Sequence, residues 1–208
     1  MKYFRMQVPG DEVNLYPIVC WHIGAKQSSR VFIEEMVERI EEAPIAKVIY
    51  MGDAGECITK FSKGNIYEQT MNPQEQLDVV AKLLDPVKGK ILFGIRGNHG
   101  NRIDKDSGLS WDGSLCTKLG IPYLGVSVLM DMMFQLTKTS TSAISVYAHH
   151  GSAGAITAAG KMSAGHRPES QVIADIALTA HTHACGECWP DRLLAYSDPS
   201  HRRIRYQK

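Results

Sequence analysis

The chain has 208 residues, enough for one domain that buries roughly 70% of the surface of its unfolded form. Its 44% hydrophobic and 22% charged residues are ordinary for a globular enzyme, and no apolar run reaches the roughly 18 residues that a transmembrane helix needs. A formal net charge of +1 gives no electrostatic lure for nucleic acid or membrane, so any phosphate affinity must come from a local site. The opening MKYFRMQVPGDEVN lacks the apolar core of a signal peptide, and a cytoplasmic location is expected. Five cysteines, an odd number, suit a reducing compartment better than a disulfide framework.

Leu15–Cys20 (LYPIVC) reads as a short buried strand. Residues 31, 33, 36, 37 and 40 place an apolar stripe along a helix over Arg30–Glu42, which Pro44 ends. Ala46–Met51 is a second strand. Pro73–Leu84 is a second amphipathic helix, with Asn72 as cap and Pro73 at its first position. Lys90–Ile95 is a third strand, and this alternation predicts a parallel sheet with crossover helices. Further on, Tyr123–Met133 and Ser142–Ala148 read as strands with no helix between them. Ala153–Ala164 reads as a loop or short helix, and Val172–Ala180 as a last strand. Beyond His183 few strands are recognisable. The expected fold is a mixed two-sheet α/β sandwich flanked by helices, over residues 1–208 as one domain.

Side chains that favour metals follow these strands. His22 follows the first, Asp53 the second, Asn98 and His99 the third, His149 and His150 a later one, and His181 and His183 the last. Six of the eight histidines fall in these segments. In open α/β sheets, ligands bind beyond the carboxyl ends of strands, so five such segments point to one shared site.

Taken in order, C-W-H at 20–22, G-D at 52–53, G-N-H at 97–99, H-H-G at 149–151 and A-H-T-H at 180–183 resemble the calcineurin-like metallophosphoesterases. That family runs D-x-H, G-D, G-N-H, H and G-H-x-H, and the likeness spans residues 18–183. HIGAKQ, GNHGNR and YEQTMNPQEQ look closest to its phage-type and repair-nuclease-like members. The resemblance implies a metallo-dependent phosphatase-like fold and a two-metal phosphoesterase. His22, Asp53 and His183 would hold one metal. Asp53 would bridge to a second, held by Asn98, His181 and one of His149 and His150, with His150 preferred because it precedes the glycine. Imidazole and carboxylate donors suit manganese, iron or zinc. His99 would be the general acid at the leaving oxygen. The implied partner is a phosphate ester, with phosphodiesters of nucleic acid or nucleotides favoured over phosphomonoesters.

Cys20 stands where the family has its first aspartate. Either its thiolate binds metal, being softer than carboxylate, or it turns away as a small apolar residue. A non-catalytic metal scaffold impaired at Cys20 is therefore the rival reading. Arg102 is read as either a solvated charge or a phosphate clamp. Glu56 is expected to orient a neighbouring loop or histidine. Trp21 is expected to pack, and His166 and His201 to lie at the surface. Cys185 and Cys188 form a C-x-x-C with no second pair to complete a zinc site.

Overall fold

The computed structural model describes residues 1–207 except 63, 136, 152–153, 156, 167–171, 184–193 and 199–202. The expected alternation is present. Strands β2 (Asn14–Ile18), β3 (Ala46–Tyr50) and β4 (Ile91–Gly94) form a parallel sheet in that order. Helices α1 (Arg30–Glu42) and α2 (Pro73–Leu84) make the crossovers. Both have the ends that sequence promised. Ser29 accepts from the Phe32 amide at the start of α1, while Asn72 and Glu75 close a reciprocal capping box on α2.

A second, mixed sheet has the order β1-β5-β6-β7. Its strands are β1 (Lys2–Val8), β5 (Ser127–Gln135), β6 (Thr141–His149) and β7 (Ile176–Thr179). Strand β1 runs parallel to β5, β5 antiparallel to β6, and β6 parallel to β7. Strand periodicity divides the side chains between two cores. Val48 and Tyr50 face α1, α2 and a further helix, α4 (Trp111–Leu119). Ile49, Met51, Phe93 and Ile95 face Met6, Val8, Val128, Met130 and Val146 of the second sheet. The molecule is thus mixed α/β with two sheets sharing one apolar layer and helices covering the other face of the parallel sheet.

Several elements differ from the expectation. The first strand ends at Ile18, and Cys20 lies beyond it with a left-handed φ of 55°. Strand β1, helix α3 (Gly100–Ser107), α4 and the hairpin of β8 (Leu194–Asp198) with β9 (Arg203–Gln207) had no clear sequence signal. Helix α5 (Ala158–His166) overlaps the Ala153–Ala164 segment, expected as a loop or short helix, and runs two residues past it. The last predicted strand narrows to β7. Cys185, Cys188 and His201 lie outside the described residues. Among the described residues no helix is long and apolar enough to cross a membrane.

One buried polar residue ties this frame to the strand-end loops. Gln76 of α2 is fully buried. Its side chain accepts from the Cys57 amide at 2.9 Å and donates to the Met71 carbonyl at 2.8 Å. Both ends of the amide are therefore satisfied, as burial requires.

The shared apolar layer can be tested at Phe93, which is fully buried and packs on the ring of Phe4 with centroids 5.1 Å apart. Phe93→Ala should lower unfolding free energy by about 3–5 kcal/mol in urea titration. A loss below about 1 kcal/mol would mean that the sheets do not share a tight core there.

Candidate metal centre

The strands deliver their polar residues to one end of the sandwich, and the backbone there is unusual. Among the described residues six non-glycines have a left-handed φ, and five of them are Cys20, His22, Asp53, His181 and His183. The sixth, Cys57, follows Glu56. Such conformations cost on the order of 1–3 kcal/mol each and persist only where surrounding structure fixes them. Here the fixing is done by main-chain bonds between strand ends. Cys20 donates to Gly52 O at 3.2 Å, His22 to Asp53 O at 3.0 Å, and Glu56 to Ile23 O at 3.0 Å. Glycine is required where two loops meet. A Cβ on Gly97 would overlap Asp53, and one on Gly52, at φ 88°, would overlap the Gly97 backbone.

At the centre is Asp53, 1% exposed. Its Oδ1 accepts from the His99 amide at 2.8 Å. Its Oδ2 lies 2.8 Å from His150 Nε2, but that nitrogen is aligned with Asn98 Oδ1 at 2.9 Å. Oδ2 is left buried without a hydrogen bond. Burial works to raise the Asp53 pKa, yet His150 and His99 outweigh it and hold the carboxyl below its ordinary value. In the same pair burial works to lower the pKa of His150, and Asp53 raises it above the usual histidine value.

Three imidazoles share one arrangement. His150 Nδ1 meets Met51 O at 2.6 Å, His22 Nδ1 meets Glu56 Oε2 at 3.0 Å, and His99 Nδ1 meets Glu56 O at 2.9 Å. With Nδ1 engaged on an oxygen, His150 and His22 turn Nε2 into the cluster, the usual support of a metal-binding histidine. His22 Nε2 faces His183 Nε2 at 3.1 Å. Burial, then the charge of neighbouring histidines, lowers the pKa of His181 and His183, which keeps their lone pairs available near neutrality. His181 stacks obliquely on His150 with centroids 5.5 Å apart.

The structure separates the two members of the His149–His150 pair. His150 enters the cluster. His149 accepts from the Gly151 amide at 2.8 Å and stacks on Tyr147, so it faces away. Cys20 faces inward. Its sulfur joins His22 and His183 in one group of potential ligand atoms, and Asp53 and His150 in another, each group lying within 4.8 Å. A third such group is His22, Asp53 and His99. Burial pushes the Cys20 thiol up to about 12, against a lowering backbone bond from His181. A thiolate would form there only with a cation beside it.

Glu56 is the shared support of this layer. It contacts His22, lies 3.3 Å from His99 Nδ1 and 3.6 Å from Arg102 Nη1. Burial works to raise its pKa, but His22 and His99 hold it well below the usual carboxylate range. Arg102 donates to Glu56 O at 3.0 Å and meets His99 Nε2 at 3.1 Å. A guanidinium only donates, so His99 Nε2 is the acceptor and its proton sits on Nδ1.

Asp112, which lies beneath the G-N-H loop, belongs to no motif legible in the sequence. It accepts from Tyr50 Oη at 2.5 Å and from the Gly97 amide at 3.2 Å, and it is 1% exposed. An acid in the first turn of a helix normally reads as a solvated partner of the helix dipole. No family model matches this chain, and no curated protein matches it.

The donors fit a transition metal. Imidazole, thiol, carboxylate and amide oxygen converge, and a buried oxygen without a hydrogen bond, Asp53 Oδ2, lies among them.

Burial pushes Asp112 up to about 7, with the Tyr50 hydroxyl opposing and the charge of Asp53 adding to the rise. The Gly97 amide and His150 also act on it, both to lower its pKa. A folded-state pKa above the unfolded one stabilises the fold below about pH 4, and that contribution is lost as pH rises through about 7. Asp112→Asn should flatten this decline. Between pH 4 and 7 the wild type should lose about 2–4 kcal/mol more than the variant in chemical denaturation. Parallel pH profiles would show that Asp112 is ionised throughout.

Proposed function

We propose that this chain is a metal-dependent hydrolase of phosphate esters, a relative of the calcineurin-like metallophosphoesterases, with phosphodiesters of nucleic acid or nucleotides as its substrate class. The observation that carries this reading is the meeting of Asp53, with its bare Oδ2, and inward-turned imidazoles at the ends of the strands. His22, His183 and Cys20 would hold one divalent ion of manganese, iron or zinc. His150, Asn98 and His181 would hold the other, with Asp53 shared between them. Bound there, such ions supply Lewis acidity toward phosphoryl oxygen and hydroxide near neutral pH.

The chain's own residues then divide the work. Glu56 orients His22 and His99 through their Nδ1 sides. Arg102 occupies His99 Nε2. For His99 to protonate a leaving oxygen from Nε2, Arg102 must first move off it and Nε2 must take up a proton from solvent, which makes the ring an imidazolium. A phosphate oxygen competes for the guanidinium through paired charge-assisted bonds. The clamp and the acid would therefore act in sequence, with Arg102 drawn to substrate as Nε2 becomes free. The rival, a non-catalytic metal scaffold, draws on the burial of the Cys20 thiol, which opposes its ionisation.

The deciding experiment pairs metal content with hydrolysis of bis(p-nitrophenyl) phosphate under manganese, iron and zinc. Wild type should bind two ions and turn the ester over, and Asp53→Asn should lose both properties. Two tightly held ions in the variant would remove the bridging role, and metal-loaded wild type without turnover would favour the scaffold.

His99→Ala should keep its metal and slow hydrolysis by about 10²–10⁴-fold for esters with poor leaving groups. A p-nitrophenolate leaving group, which needs no proton, should suffer less. Equal losses across leaving groups would rule out the acid.

A further inference from the structure

A cleft of about 490 Å³ opens beside the cluster, between the end of β2 and helix α1. His22, His99 and His183 line its inner end, so it is continuous with the metal centre. Its outer wall is apolar. Phe32 and Met36 are four residues apart on α1 and share a face. Trp21 lines the cleft as well, and Gln27 sits exposed at the rim. Phe32 is 63% exposed, a large apolar surface open to solvent next to a polar centre. Among the described lining residues there is no lysine or arginine, and Glu56 is the one acid. The volume is within the range of small-ligand sites, which combine apolar walls with a few polar groups.

On the phosphoesterase reading, we infer that this cleft seats an uncharged ring of the ester, aryl or nucleobase, against Phe32 and Met36 while the phosphate meets the cluster. A second phosphate would find no cation among the described lining residues, whereas a flat ring finds an aromatic face and, at the rim, the Gln27 amide. The recognised chemistry is the ring itself, whether it comes from an aryl phosphate or a nucleotide.

Binding can be read without turnover by calorimetry on the full chain loaded with manganese or zinc. The probes are inorganic phosphate, ribose 5-phosphate, phenyl phosphate and adenosine monophosphate. At least one ring-bearing probe should bind about tenfold tighter than ribose 5-phosphate, the scale of one stacked ring. If phenyl phosphate alone gains, the seat takes an aryl ring attached directly to phosphate. If adenosine monophosphate alone gains, it takes a nucleobase. Phe32→Ala should erase the gain and leave the affinity for inorganic phosphate as in wild type. Phe32→Tyr should restore it. Equal affinity of ribose 5-phosphate and both ring-bearing probes in wild type would overturn the inference, as would a gain that survives Phe32→Ala. Absence of ester hydrolysis alongside a Phe32-dependent ring gain would overturn the catalytic reading and leave the ring seat standing.

Discussion

The buried carboxylate of Asp53 is the constraint around which the strand ends are arranged. An ionised carboxylate withdrawn from water costs several kcal/mol unless donors and positive charge surround it. At 1% exposure Asp53 depends on the His99 amide and on His150. Gly52 and Gly97 let β3 and β4 end close enough for those groups to reach it. His22 and His183 then complete the wall, and Glu56 fixes the outer faces of two rings. Left-handed turns at Cys20, His22, Asp53, His181 and His183 are the backbone cost of converging so many side chains. The two apolar layers flanking the parallel sheet offset it.

Much of this was legible because it depends on periodicity and order along the chain. The apolar run of Ala46–Met51 and the 3.6-residue stripe on Arg30–Glu42 survive any tertiary context. Strand β1 escaped because it buries only Met6 and Val8 of its seven residues, with Lys2, Tyr3 and Arg5 exposed, so its sequence looks like a polar arm. Helix α3 is short and polar. Helix α4 has its apolar residues at positions that make sense only once α2 lies beside it, where Trp111 donates to the Pro73 carbonyl.

The convergence of His22, Asp53, Asn98, His99, His150 and His183 could be anticipated from their places after strands, since parallel strands deliver their ends to one side. What could not be read were contacts set by three-dimensional neighbours. His149 and His150 are chemically identical in sequence, and only the Met51 carbonyl beneath one and the Gly151 amide beside the other separate them. Cys20 was expected to end a strand, yet neither it nor His22 is in one, and left-handed turns bring them together. Asp112 and Gln76 are polar residues on helices that sequence assigns to solvent. Their burial follows from packing alone.

Gln76 has a consequence for the motions of the site. Its single amide joins the Cys57 backbone, just after Glu56, to the turn that enters α2. The Glu56 loop therefore cannot detach while α2 stays seated unless a buried amide loses its partners. Local opening of this loop is coupled to undocking of a helix whose Val80 and Leu84 are fully buried. In hydrogen exchange the Cys57 amide would belong to the slow, cooperative unit of the core, although it sits in a loop. The loop that carries the centre's supporting carboxylate thus shares the lifetime of the core.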